Sequence, residues 1–270
     1  MLNHALSLFN TCANPGCNQR WIRSTLMFSG MYIGQDRYCS PACVHDGLAV
    51  EFQHLLYHRK AFLRRQHRIP IGLLLMSRGE IDGETLKAAL REQKNSPEVK
   101  LGRILIKMGA VTEGQVTSAV ASQWSVPVFR LNGQHNPEAA ALVPFALMER
   151  YRMLPVHFVK QRNHLHLAFA DCIDRTLIYA IEQMLGVTTE SSIAPESELA
   201  HRIGMAAGEQ RPAEYMLNSV PEGELPGIVR GYALRLRAEQ IKATLCNDQV
   251  WVRTEGRSGV THFLFGTSSG

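Results

Sequence analysis

Cys12 and Cys17 enclose Ala-Asn-Pro-Gly, and Cys39 and Cys43 enclose Ser-Pro-Ala, so four of the six cysteines fall in two close pairs. Pro-Gly makes a tight turn in the first pair. In the second, Ser40 is a helix N-cap and Pro41 a first helical residue, which puts Cys43 in the first turn of a helix. In a reducing compartment, close cysteine pairs point to metal rather than to disulfides. Four thiolates so spaced make the closed tetrahedral set of a structural zinc, with no position left for catalysis. The plainer alternative is four reduced, packed thiols. Cys172 and Cys246 stand apart in apolar or strand-like contexts and are expected to be buried thiols.

Tyr38-Cys39-Ser40-x-x-Cys43 resembles small treble-clef zinc fingers, in which a knuckle joins the start of a helix; the first pair has a longer gap than theirs. The helix that must hold Cys43 is expected to run from Pro41 to about His67. Val44, Leu48, Phe52, Leu55, Leu56, Phe62 and Leu63 keep helical spacing along it. Arg59, Lys60, Arg64, Arg65 and Arg68 cluster at its end, and residues 1–68 hold eight Lys/Arg against three Asp/Glu, the whole excess of the net charge of +5. Such a cluster either complements the helix dipole and solvates an exposed face or neutralises nucleic-acid phosphates. Without interleaved aromatics or a base-reading pattern, the first reading is preferred and nucleic-acid binding stays the rival.

Residues 70–93 and 100–123 align without a gap, at a period of 30. Gly72 meets Gly102, Leu75 meets Leu105, Gly79 meets Gly109, Ala89 meets Ala119 and Gln93 meets Gln123. Each copy reads as a short helix, a Gly that ends it, an apolar residue and an acid-started second helix. Two helical hairpins related by pseudo-symmetry are expected.

This doubled segment resembles the N-terminal domain of type II secretion and type IV pilus assembly ATPases, of the GspE N-terminal or MshEN type. The resemblance implies a regulatory domain able to bind cyclic di-GMP: Gly lets the backbone approach, apolar side chains cover guanine faces and Gln bonds polar edges. Carried onto this sequence, the ligand-binding positions are Ile71, Gly72 and Gln93 in the first copy and Leu101, Gly102 and Gln123 in the second. The family's head arginines are replaced by Pro70 and Lys100. Lys100 keeps a point charge without a fork, and Arg68 lies two positions early as a substitute.

The resemblance extends over about residues 70–205. Pro127–Leu131 is expected as a strand, Ala140–Met153 as a helix, Leu154–Phe158 and His164–Ala170 as strands, Asp171–Leu185 as a helix, Val187–Ile193 as a strand and Pro195 to about Ile203 as a last helix. His164 and His166 share a strand face and are expected to face solvent rather than ligate metal. The fold class is therefore mixed α/β (α+β). It comprises a zinc-stapled, basic-helix segment (1–68), a secretion-ATPase N-terminal-like domain (69–205), a linker (206–222) and a small α/β segment (223–270), with a helix at Gly227–Ala243 and a hairpin of Val250–Arg253 and Val260–Phe265.

The sequence holds no Gly-Lys-Ser or Gly-Lys-Thr phosphate loop, Gly-x-Ser-x-Gly elbow or His-Glu-x-x-His helix, so no enzyme activity is expected. No apolar run reaches the roughly 20 residues of a membrane helix, and Met1–Asn10 lacks the basic start of a secretory signal. The expected role is that of a cytoplasmic regulatory or adaptor protein docking on a secretion or pilus machine, with a structural scaffold free of ligands as a further alternative.

Overall fold

The structure, a computed structural model, describes residues 9–17, 20–22, 30–57, 68–131 and 136–268. Along the chain, β1 (Phe9–Thr11), β2 (Arg20–Ile22), β3 (Met31–Ile33) and β4 (Asp36–Tyr38) precede α1 (Pro41–Tyr57). The repeat supplies α2 (Ile71–Ser77), α3 (Gly83–Asn95), α4 (Leu101–Lys107) and α5 (Glu113–Trp124). Then come α6 (Pro137–Ala140), α7 (Phe145–Tyr151), β5 (Met153–Val159), β6 (His164–Phe169), α8 (Arg175–Leu185), β7 (Thr188–Ile193) and α9 (Glu196–Ala207). The chain closes with β8 (Ala213–Pro221), α10 (Leu225–Arg235), β9 (Ala238–Cys246), β10 (Gln249–Gly256) and β11 (Gly259–Ser268). The mixed class expected from the sequence is present.

The chain divides into two compact units, residues 1–63 with 211–270 and residues 64–210. The cysteine-bearing segment and the C-terminal segment, expected as separate domains, therefore share one core. In this first unit a six-stranded sheet runs β4-β3-β9-β10-β11-β8, parallel at β3/β9 and β11/β8 and antiparallel elsewhere. On α1, Val44, Leu48 and Phe52 recur every four residues and pack with Leu225, Val229 and Ala233 of α10 and with Val250, Val252, Phe263 and Phe265 of the sheet. Two expectations fail here. The linker at 206–222 is largely β8, whose backbone pairs with β11, and the helix at Gly227–Ala243 stops at Arg235. Arg237 turns left-handed (φ 51), and the alternating Ile241, Ala243 and Leu245 then pair with β10. The described part of α1 ends at Tyr57; its expected continuation to His67, with Arg59, Lys60, Arg64 and Arg65, lies outside the described residues.

The first unit also buries a histidine. The Trp251 indole N–H donates to His262 Nδ1 at 3.2 Å, and burial drives the His262 imidazolium down to about 3. Since the unfolded imidazole titrates near pH 6.5, the unfolded state takes up a proton first as pH falls. Stability should therefore drop from about pH 6.5 towards pH 3, by up to roughly 1.4 kcal/mol per pH unit. Urea melts of the native chain and of His262→Gln across that range check this; the variant should lose most of the slope.

In the second unit the two hairpins are equivalent in detail. Leu75 and Leu105, Ile81 and Val111, and Ala89 and Ala119 are buried together in one cluster. Each first helix ends on a glycine of positive φ, Gly79 at 69° and Gly109 at 71°, a conformation a Cβ resists. Asp82 caps α3 by accepting from the Thr85 N–H, and Thr112 with Gln115 forms a capping box on α5.

The lobe that follows is a three-stranded sheet, β5-β6-β7, antiparallel then parallel, with α8 as the crossover between β6 and β7. The strand expected at Pro127–Leu131 is reduced to a bridge from Val128 to Ile193. Pro127 lacks an N–H for a ladder. The helix expected at Ala140–Met153 is split into α6 and α7, because Pro144 removes a donor and keeps the residue before it out of the helical region.

Candidate functional site

Gly72 and Gly102 sit at matching points of the repeat. A Cβ on Gly72 would lie 2.6 Å from Leu86 Cδ1 and 3.2 Å from Leu101 Cδ2, and one on Gly102 would lie 2.7 Å from Val116 Cγ1 and 3.8 Å from Ile71 Cδ1. Leu86 and Val116, like Ile71 and Leu101, are partners in the repeat register. The sequence-selected dipeptides Ile71-Gly72 and Leu101-Gly102 thus face each other in equivalent surroundings. Their glycines allow close helix packing, and their apolar residues interlock the two copies.

The tail glutamines are equally symmetric. Gln93 Nε2 donates to the Val99 carbonyl at 3.1 Å, and Gln123 Nε2 donates to the Ile69 carbonyl at 2.6 Å. Each copy's glutamine therefore holds the chain leading into the other copy's head, with its carbonyl oxygen left for a further donor. Arg68 lies with its guanidinium over the Trp124 ring, beside the Gln123 turn where a substitute cation was expected.

The symmetry breaks in what surrounds the heads. A cleft of ≈ 180 Å³ opens on the second copy, lined by Lys100, Leu101, Gly102, Arg103, Glu113 and Gln123 among others and closed by Ala170, Asp171 and Glu196 of the lobe. Lys100 pairs with Asp171, and Arg103 and Arg152 both pair with Glu196. Glu113 accepts from the Ser197 N–H at 2.8 Å and its hydroxyl at 2.6 Å, satisfying the first turn of α9 where Pro195 offers no cap. In the first copy the positions matching Lys100, Arg103 and Glu113 are Pro70, Leu73 and Gly83. There Leu73, Met76 and Leu90 are exposed.

The cleft brings Ile71, Lys100, Leu101, Gly102 and Gln123 together; Gly72 lies one packing layer away, and Gln93 serves the matching turn of the other copy. Sequence reading missed Arg103, Glu113, Arg152, Asp171 and Glu196. The one available signal was the repeat register itself, since charges present in copy two and absent from copy one mark a face used by one copy alone.

The second cluster is a set of four thiols. The sulfurs of Cys12, Cys17, Cys39 and Cys43 all lie within 4.8 Å of one another, with Cys17 to Cys39 at 3.5 Å and Cys39 to Cys43 at 3.8 Å. A tetrahedron of thiolates around an ion at about 2.3 Å has edges of about 3.8 Å, so the four residues fit one ion. Their frame is as anticipated at the helix: the Cys43 N–H donates to Ser40 Oγ at 3.2 Å. At the knuckle, Gly16 N–H donates to Asn14 Oδ1 at 3.0 Å, and Asn14 Nδ2 donates to Asp46 of α1 at 2.9 Å. Burial and neighbouring thiols push Cys39 up to about 12, whereas the Ser40 hydroxyl lowers Cys43.

Two minor sites, His166 and Cys172, differ from expectation. His166 is half-buried rather than solvent-facing: it meets Ser192 Oγ at 3.1 Å and Phe129 edge-on at 4.8 Å, and burial lowers its pKa. His164 is held by Thr188 at 3.1 Å and lies 3.5 Å from Glu190. Cys172 is exposed, whereas Cys246 is buried as expected. Among the described residues no helix is long and apolar enough to cross a membrane.

Comparison with known proteins gives a consistent neighbourhood. The type IV pilus assembly ATPase PilB of Myxococcus xanthus (strain DK1622) is 27% identical over 147 residues, 53% of this chain and 25% of that protein. The chain thus matches about a quarter of that relative's length. Among solved structures, MshE with cdg is 29% identical, covering 53% of this chain and 99% of that one at a TM-score of 0.44. The N-terminal domain of XpsE is 20% identical, covering 52% and 97% at a TM-score of 0.40. Residues 124–213, the lobe from the end of α5 to the start of β8, match the MshEN domain family.

Proposed function

We propose that this chain is a non-catalytic regulatory or adaptor module that binds cyclic di-GMP at the second repeat and docks in the cytoplasm on a secretion or pilus machine. The observation that carries the reading is the equivalence of Ile71-Gly72 and Leu101-Gly102, whose glycines let the two copies pack closely so that Ile71 and Leu101 stand together beside a cation-bearing cleft. Leucine and isoleucine at that surface suit the flat faces of guanine; Lys100 and Arg103 suit a phosphodiester. At ≈ 180 Å³ the cleft is below the roughly 300 Å³ at which pockets enclose drug-sized ligands. It therefore holds one part of a dinucleotide, the rest lying over the repeat. The similarity to a type IV pilus assembly ATPase supports the machine as partner. The four cysteines, on this reading, hold a structural zinc.

Calorimetric titration of the whole chain with cyclic di-GMP tests the ligand. Heat saturating in the micromolar range is expected, and Lys100→Ala should weaken binding about tenfold, the loss of one charge-assisted contact. Absence of heat at high micromolar nucleotide removes the ligand from the reading.

A further inference from the structure

Three cations converge on two carboxylates at the mouth of the cleft. Lys100 pairs with Asp171 and Arg103 with Glu196, while Arg152 pairs with Glu196 and lies 3.8 Å from Asp171. The cationic side chains of Lys100, Arg103 and Arg152 keep 61, 58 and 44% of their surface open, against 18% for Asp171 and 28% for Glu196. The carboxylates are thus sunk beneath an outward rim of positive charge. Arg152 is fixed there by its backbone: it adopts φ 45, and its carbonyl accepts from the Ala170 N–H at 3.0 Å beside Asp171. A left-handed conformation is costly for a residue with a side chain and persists where the surroundings enforce it.

Glu113, the third carboxylate of the cleft, is engaged with Ser197 and takes no part in this network. With Glu113 counted, three carboxylates face three cations, and every cation already has a carboxylate partner. An arriving phosphoryl group therefore meets donors that are occupied, and each carboxylate repels it.

We propose that Lys100, Arg103 and Arg152 form a phosphoryl-binding site held shut by its own acids, in which Asp171 and Glu196 act as built-in competitors that a phosphate must displace. Occupation of the cleft then breaks the ion pairs that fasten α4 to the lobe, so ligand binding and the loosening of α4 are one event, while Glu113 keeps α5 on Ser197. The identity of the ligand rests on the cyclic di-GMP reading above; the autoinhibited site does not.

The test titrates the full chain with inorganic pyrophosphate and, separately, with cyclic di-GMP, at low ionic strength. Native protein is compared with Asp171→Asn, Glu196→Gln and the control Glu138→Gln, whose carboxylate pairs with Lys160 instead. Removing either sunken charge should tighten pyrophosphate binding about tenfold or more, the control should not, and Arg152→Ala added to Asp171→Asn should abolish the gain. Circular dichroism checks folding, and if one variant unfolds the other carries the test. Pyrophosphate affinity that stays the same, weakens or is absent in the folded amide variants overturns the proposal. A gain for pyrophosphate without any binding of cyclic di-GMP leaves the autoinhibited site standing and removes the dinucleotide. Equal cyclic di-GMP affinity in native protein and variants, with no pyrophosphate gain, does the reverse.

Discussion

On the zinc reading of the four cysteines, a chelator, or Cys39→Ser, should destabilise the unit built on β3, β4, α1 and the C-terminal sheet by several kcal/mol and leave the repeat unit folded. Apparent binding free energies of roughly 10–16 kcal/mol are typical of small structural zinc sites, and where binding and folding are coupled that energy belongs to folding. Here the coupling is built in. Cys39 follows β4 directly, Cys43 lies in the first turn of α1, and the neighbouring Val44 and Leu48 are fully buried. Cys12, Cys17 and Cys39 pack against that same core. Losing the ion would leave the thiols clustered without the cation that lets them ionise together. Metal analysis should find one zinc per chain, and a chelator should shift the melt of this unit alone. An unchanged melt in excess chelator would reduce the cluster to four packed thiols.

The second large effect is expected in the repeat. Leu75 and Leu105 are fully buried at equivalent points, and truncating either to Ala removes three heavy atoms, Cγ and both Cδ, from a small helical core. Each substitution should cost about 2–5 kcal/mol. Because the surroundings match, the two values should agree within about 1 kcal/mol, a narrower spread than unrelated leucines show. Urea denaturation followed at α-helical wavelengths gives both numbers. Widely different losses would mean that the pseudo-symmetry is one of sequence and outline without equal packing.

The repeat was legible because its information is local. Gly79 and Gly109 end helices, Asp82 and Thr112 start them, and a fixed period exposes which residues must occupy matching positions. The cysteine frame was legible for the same reason, with Ser40 and Pro41 setting the angle at which Cys43 leaves the turn. The ion network of the cleft was not. Lys100 and Asp171 stand 71 residues apart and Arg103 and Glu196 stand 93 apart, so only the folded lobe brings them together. The shared core of the first unit depends on still longer range: Gln240 donates to the Gly34 carbonyl across 206 positions. Nothing in either segment announces the other. The misread helix at Gly227–Ala243 has a related cause. Ile241, Ala243 and Leu245 suit either period over so short a run, and their antiparallel partners on β10 decide for the strand.

The crossed glutamines carry a consequence for the origin and the divisibility of the duplicated segment. Gln93 ties down the approach to α4, Gln123 ties down the approach to α2, and Leu101 fills the space over Gly72 while Ile71 does so over Gly102. Neither half can be excised without stripping the other of its lid and its tether. The arrangement is that of two interlocked subunits fused into a single polypeptide, and a lone half would have to recruit another molecule of itself to become whole.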